Sequence, residues 1–186
     1  MKASLRLTLL IITSIIVIFM VIPVFLTGNI TVEASTEIKA SPEVVYNEVN
    51  VLRNWKRWSP FETDSTMVNK YEGPAAGTGA RRSWTSKHNG NGKIMIIKSE
   101  PDSLIETKMD FGAPGVAEGR WTFSNEQGKT RVRWQLQIQK LQYPFGRWLG
   151  LLLKKMMTPV LENGLSKLKS IAEKQKSTSD TIRKTP

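Results

Sequence analysis

The sequence predicts an α+β protein. A curved antiparallel sheet of about six or seven strands wraps around one long C-terminal helix, and a transmembrane helix precedes the domain. Three observations predict this. Residues 7–26 form an uncharged apolar run. Residues 67–139 alternate apolar and polar side chains between glycine-rich turns, the signature of strands with one wet face. From Phe145 to Lys174 the period changes. Gly150, Leu153, Met157, Leu161, Gly164, Leu168 and Ile171 recur in steps of three and four, placing them on one face of a helix.

The apolar run reads LTLLIITSIIVIFMVIPVFL, and fifteen of its twenty residues are Leu, Ile, Val or Phe. At about 1.5 Å per residue such a helix covers roughly 30 Å, one hydrocarbon core. Lys2 and Arg6 precede it, whereas Glu33 and Glu37 follow. That asymmetry places residues 1–6 in the cytoplasm, 7–27 in the membrane and the domain on the periplasmic or extracellular side. A cleaved signal peptide is the competing reading, since Val32-Glu33-Ala34 looks like a cleavage site. However, the run exceeds the ~7–15 apolar residues of a signal peptide, and cutting there would divide a strand.

That strand is Ile30–Lys39, where Ile30, Val32, Ala34, Thr36 and Ile38 share a face. Ser41-Pro42-Glu43 opens a short helix, with Ser as cap, Pro in the first turn and an acid at the positive end of the dipole. In Asn54-Trp55-Lys56-Arg57-Trp58-Ser59-Pro60-Phe61, two tryptophans three apart lie on one side of a turn and clamp the short helices to the sheet. Residues 73–79 lack the Gly-Lys-Ser/Thr ending of a phosphate loop and are read as a turn. His88-Asn89-Gly90 makes a hairpin turn, because Asn-Gly adopts positive φ at little cost. Further turns are expected at 112–115 and 125–129. Val132, Trp134, Leu136 and Ile138 point inward from the most regular strand. In the last helix Pro159 should kink the chain or start a second half capped by Thr158. The glycines on its apolar face allow close packing. Residues 176–186 are polar and aperiodic, and are read as a disordered basic tail.

This order of elements resembles the helix-grip fold of the START-like, or SRPBCC, superfamily, and within it the polyketide cyclase/dehydrase-type branch. The resemblance is carried by Ile38-x-Ala40-Ser41-Pro42-Glu43-x-Val45-Tyr46 and by Asn54-Trp55-x-x-Trp58-Ser59-Pro60-Phe61. It continues in Gly77-x-Gly79-Ala80 before Trp84, Glu100-Pro101, Thr130-x-Val132-x-Trp134 and Gly164-Leu165-x-x-Leu168-Lys169. It covers residues 30–175. It implies a cavity between sheet and helix that binds a hydrophobic molecule, in some members with chemistry in the same place.

The residues narrow the chemistry. The 186-residue chain has no cysteine and one histidine, so thiolate catalysis is excluded and a transition-metal site lacks its usual ligands. No cofactor or metal is expected. Glu106, Asp110 and Glu118 fall on the outer face as partners for Lys108, Arg120 and Arg133. Arg82 shares a strand face with Trp84. It either points inward toward an anionic group of a ligand or snorkels to water. The candidate ligand-binding residues are Arg82, Trp84, Met109, Trp121, Trp134, Leu153, Met157 and Leu161. The net charge of +11 is spread over the domain and denser at the tail, which suits anionic headgroups. Nucleic acid is not an expected partner, because the aromatics are inward and not stacked along a basic groove. The sequence sets no oligomeric state. The expected function is a membrane-anchored binding protein for a lipid-like or other hydrophobic small molecule. The alternative is an enzyme of cyclase, dehydratase or hydrolase type acting in the same cavity.

Overall fold

In the computed structural model of the chain, the described residues are 2–88, 90–111, 116–139 and 141–184, without the side chains of 2–3 and 177–184. The expected turn at 112–115 and Asn89 of the hairpin turn lie outside them.

The apolar run forms α1 (Lys2–Val21), which tightens into a 3-10 turn over Ile22–Phe25. Ser4–Phe25 is 22 residues long with mean hydropathy 2.9, long and apolar enough to cross a membrane. The domain then follows in the expected order. β1 (Ile30–Ile38) leads to α2 (Pro42–Asn50), a 3-10 turn and the single-turn α3 (Trp55–Trp58). Six strands come next: β2 (Val68–Glu72), β3 (Arg81–Thr85), β4 (Gly92–Glu100), β5 (Leu104–Asp110), β6 (Val116–Glu126) and β7 (Lys129–Ile138). The long helix α4 (Phe145–Lys184) closes the chain.

The seven strands form one antiparallel sheet in the order β1-β7-β6-β5-β4-β3-β2. Every step but one joins strands consecutive in sequence. The exception pairs the first strand with the last, and Val32 faces Leu136 while Ala34 faces Trp134. Alternation decides the faces. In β7 Val132, Trp134 and Leu136 are buried, while Arg131 and Arg133 are exposed and pair with Glu37 and Glu33. A bulge at Ile97 breaks the alternation of β4 and turns that side chain outward.

The buried face of α4 is Gly150, Leu161, Gly164, Leu165, Leu168 and Ala172, which adds Leu165 and Ala172 to the expected stripe. The helix packs chiefly on β1, α2 and α3. Trp58, Trp121 and Trp134 pile up beneath it. Trp121 and Trp134 face each other across β6 and β7, with rings stacked 4.2 Å apart, and Trp58 meets both edge-on. Such pairs add roughly 0.5–1.5 kcal/mol beyond the area they bury.

One expectation is corrected. Pro159 does not begin a second half of the helix: it lies within one continuous helix, on an exposed position where its missing N–H interrupts a solvent-facing bond. Thr158 is not a cap, since its hydroxyl donates back to the Lys154 carbonyl at 2.9 Å. The described backbone of α4 is helical to Lys184.

Candidate functional site

The site forms where α4 does not fill the sheet. Lying mainly over β1, the helix leaves the β3–β5 end to be covered by the segment 59–67 that follows α3. Between them is a cavity of ≈ 300 Å³. Its walls are Trp84 from β3, Ile94 from β4, Met109 and Phe111 at the end of β5, and Met157 and Val160 from α4. Trp55 and the loop residues Pro60, Phe61, Thr63 and Met67 close the front.

One charged side chain lines this apolar space. Arg82 is 4% exposed. The pleat of β3 aims it inward beside Trp84, so it does not snorkel to water. Its guanidinium lies 5.1 Å from the centre of the Trp84 ring and 5.9 Å from that of Trp55. Its counter-ion is Glu62, whose carboxylate accepts from Arg82 Nη1 and whose side chain is 3% exposed. Burial pushes the guanidinium down to about 10, still protonated at neutral pH. Arg82 Nε is buried and has no protein acceptor.

The loop that delivers Glu62 is pinned by its neighbour. Asp64 accepts from the Thr66 amide at 2.8 Å, from the Thr66 hydroxyl at 2.7 Å and from the Ser86 hydroxyl beyond β3. The Ser86 bond, then those from Thr66, hold the Asp64 carboxyl well below the usual carboxylate range.

Of the eight predicted residues, Arg82, Trp84, Met109 and Met157 come together in the cavity wall. Trp121, Trp134 and Leu161 are fully buried at 0% exposure but face other side chains under α3 and α4, and are not part of the wall. Leu153 is half-buried one turn before Met157, also outside it. Sequence reasoning missed Glu62 and the loop around it. An arginine on an inward strand face was the available signal, because a buried guanidinium requires a counter-ion. It also read Trp55 only as a clamp. Trp55 does clamp, donating to the Val49 carbonyl at 2.8 Å, and it lines the cavity as well.

The outer-face carboxylates offer no competing centre. Glu106 pairs with Arg120 at 2.9 Å as expected, Asp110 pairs with Lys93 at 3.1 Å, and Glu118 accepts from Gln139. A hollow of ≈ 520 Å³ on that face is walled by Glu72, Arg81, Lys93, Lys108 and Asp110, together with Arg82, Ser83, Ile94, Met95 and Val116. Among the described residues no group of three or more His, Cys, Asp or Glu could hold a metal ion.

The fold recurs in solved structures of low sequence identity. A protein of unknown function from Staphylococcus aureus, SA2116, is 15% identical with a TM-score of 0.60, over 80% of this chain and 98% of its own. The Aha1 dimer from Colwellia psychrerythraea is 17% identical with a TM-score of 0.55, over 77% and 96%. The di-domain ARO/CYC StfQ of the steffimycin biosynthetic pathway is 12% identical with a TM-score of 0.62, over 80% of this chain and 52% of its own. No curated protein matches the sequence significantly. The strand order, the long helix laid across the sheet and the cavity at its open end are those of a START-like helix-grip domain. Residues 29–173 match the family described as polyketide cyclase / dehydrase and lipid transport, and the chain belongs to that family.

Proposed function

We propose that this protein is a membrane-anchored binding module for a small apolar molecule that carries a hydrogen-bond acceptor. The observation that carries the reading is the cavity itself: an aromatic and aliphatic wall that includes Arg82, whose Nε is, of the four buried donors without a protein acceptor among the described residues, the one that belongs to a residue of that wall. Small-molecule sites combine a mostly apolar lining with few polar groups in just this way. The volume of ≈ 300 Å³ is at the small end of such sites, roughly 300–1,000 Å³. A single acyl chain or a compact ring system suits it, and a two-chain lipid does not. Because Glu62 already neutralises Arg82, a neutral acceptor such as a carbonyl or hydroxyl is preferred over a carboxylate.

The anchor is α1, with the amino terminus in the cytoplasm and the domain on the periplasmic or extracellular side. Lys2 and Arg6 before the span support this orientation. Native mass spectrometry of the full chain released from nanodiscs tests the binding function. Wild type should carry a small apolar adduct, and Val160→Trp, which fills the cavity from a half-buried helix position, should lose it. An adduct unchanged in Val160→Trp, or no adduct in either protein, contradicts the proposal.

An enzymatic reading is favoured by one observation, the Glu62 carboxylate beside the cavity. Paired with the Arg82 guanidinium, it is an acceptor and is placed to act as a base. The enzymatic reading therefore predicts a base-catalysed step abolished by Glu62→Gln with the fold retained.

A further inference from the structure

The first three turns of α4 carry apolar side chains that the domain does not use. Phe145, Leu149, Leu152 and Met156 are 71%, 49%, 58% and 63% exposed. Their spacing of four, three and four makes one stripe. The stripe lies beside the face that packs on the sheet, and it leads into the cavity wall, since Val160 is one turn beyond Met156 and Met157 is adjacent to it.

What covers this stripe follows from its other neighbour. The end of α1 is fastened to the start of α4 by several contacts. Phe19 stacks on Trp148 at 5.7 Å and 14° and meets Phe145 at 5.2 Å. Trp148 Nε1 donates to the Phe19 carbonyl at 3.1 Å, and the Tyr143 hydroxyl donates to the Met20 carbonyl. Arg147 Nη1 donates to the carbonyls of Pro23 and Val24 at 2.8 and 3.3 Å, placing a positive charge at the negative end of the helix. Phe19 is six residues, roughly 9 Å along a helix, before Phe25 at the end of the span. Side chains fixed to Phe19 and Met20 therefore sit roughly 9 Å inside the end of the span, within the ~5–10 Å to which the apolar face of an interfacial helix is buried. The polar groups of Tyr143 and Trp148 are satisfied there by the α1 backbone. Exposed Lys155, three residues after Leu152, borders the stripe and suits anionic headgroups.

We infer that Tyr143–Met157 is an interfacial segment whose Phe145, Leu149, Leu152 and Met156 insert into an anionic phospholipid bilayer beside α1. The cavity rim at Met157 and Val160 then faces the lipid, so an apolar ligand passes between bilayer and cavity without crossing water. The inference rests on reading α1 as a membrane span, and the test separates the two.

The chain has no cysteine of its own, so single cysteines can be placed and labelled with a fluorophore. The sites are Ile15→Cys in α1, Leu149→Cys and Met156→Cys in the stripe, and exposed Ser124→Cys at the far end of β6. The full chain is measured in nanodiscs of phosphatidylglycerol and phosphatidylethanolamine with a doxyl-lipid quencher or aqueous iodide. The labels at 15, 149 and 156 should lose about half or more of their emission to the doxyl lipid, and the label at 124 should respond to iodide alone. If 15 is quenched by lipid while 149 and 156 respond to iodide like 124, the inference falls and the span stands. If 149 and 156 are shielded from both quenchers, a second copy or another protein covers the stripe, and the inference falls. If 15 is not quenched by lipid, the span reading fails and the inference with it.

Discussion

Arg82 and Glu62 set the chemistry of the cavity, and each depends on the other. Both side chains are buried, so removing one strands a charge. Arg82→Ala should destabilise the domain by about 3–5 kcal/mol in equilibrium unfolding, whereas replacing both, as Arg82→Met with Glu62→Gln, should recover most of that loss. The double variant should also lose the adduct, which separates stability from binding. Asp64 acts on the same loop through pH. Its folded pKa is depressed below the ordinary 3.8, so its contribution is fully present above that value and is lost as pH falls toward the lower folded value. Stabilities of wild type and Asp64→Asn should therefore differ by a constant amount at neutral pH and converge below about pH 3.8. A gap that persists unchanged in acid would show that the carboxylate does not hold the loop. Neither acid was legible in the sequence. Segment 59–67 has no period from which to infer direction, and Glu62 meets a partner twenty positions away only because β3 and the loop fold back on each other.

At the scale of elements, the strands were legible where one face is wet. β7 shows this best, since burial of Val132, Trp134 and Leu136 against exposure of Arg131 and Arg133 writes the pleat into the sequence. The helix was legible in its apolar stripe but not in its continuity. Pro159 signals a break, yet α4 continues through it at an exposed position, where the carbonyl left without its N–H partner can turn to water. Trp84, Trp121 and Trp134 share an inward face, and their different fates were not legible. Trp121 and Trp134 pack against Trp58 of α3, whereas Trp84, at the other end of the sheet, faces the space that α4 and the 59–67 segment leave open. The glycines of α4 are tighter than they look. A Cβ at Gly164 would lie 2.8 Å from Pro60 Cδ and 3.1 Å from Trp134 Cζ3, both in rigid rings. Gly164→Ala should push α4 off the sheet and destabilise the domain by about 1–3 kcal/mol, measured by thermal unfolding. Unchanged stability would mean that the helix is not seated as described.

For the whole molecule, three parts divide the work. The β1–β7–β6 side with α4 is a filled core, the β3–β5 side with the 59–67 loop is a hollow, and α1 is bound to the base of α4. Composition alone could not separate filled from hollow, because Met and Trp serve either. The account's central claim is that the hollow receives an apolar molecule. Methyl NMR tests it most directly, since Met67, Met109 and Met157 line the cavity while Met95 is walled into the outer face and Met20 belongs to α1. In the full chain in nanodiscs, labelled at the methionine methyls, titration with 1-decanol should shift Met67, Met109 and Met157 together and leave Met95 unmoved. Shifts confined to Met20, or a cavity trio that stays still at saturation, would contradict the claim.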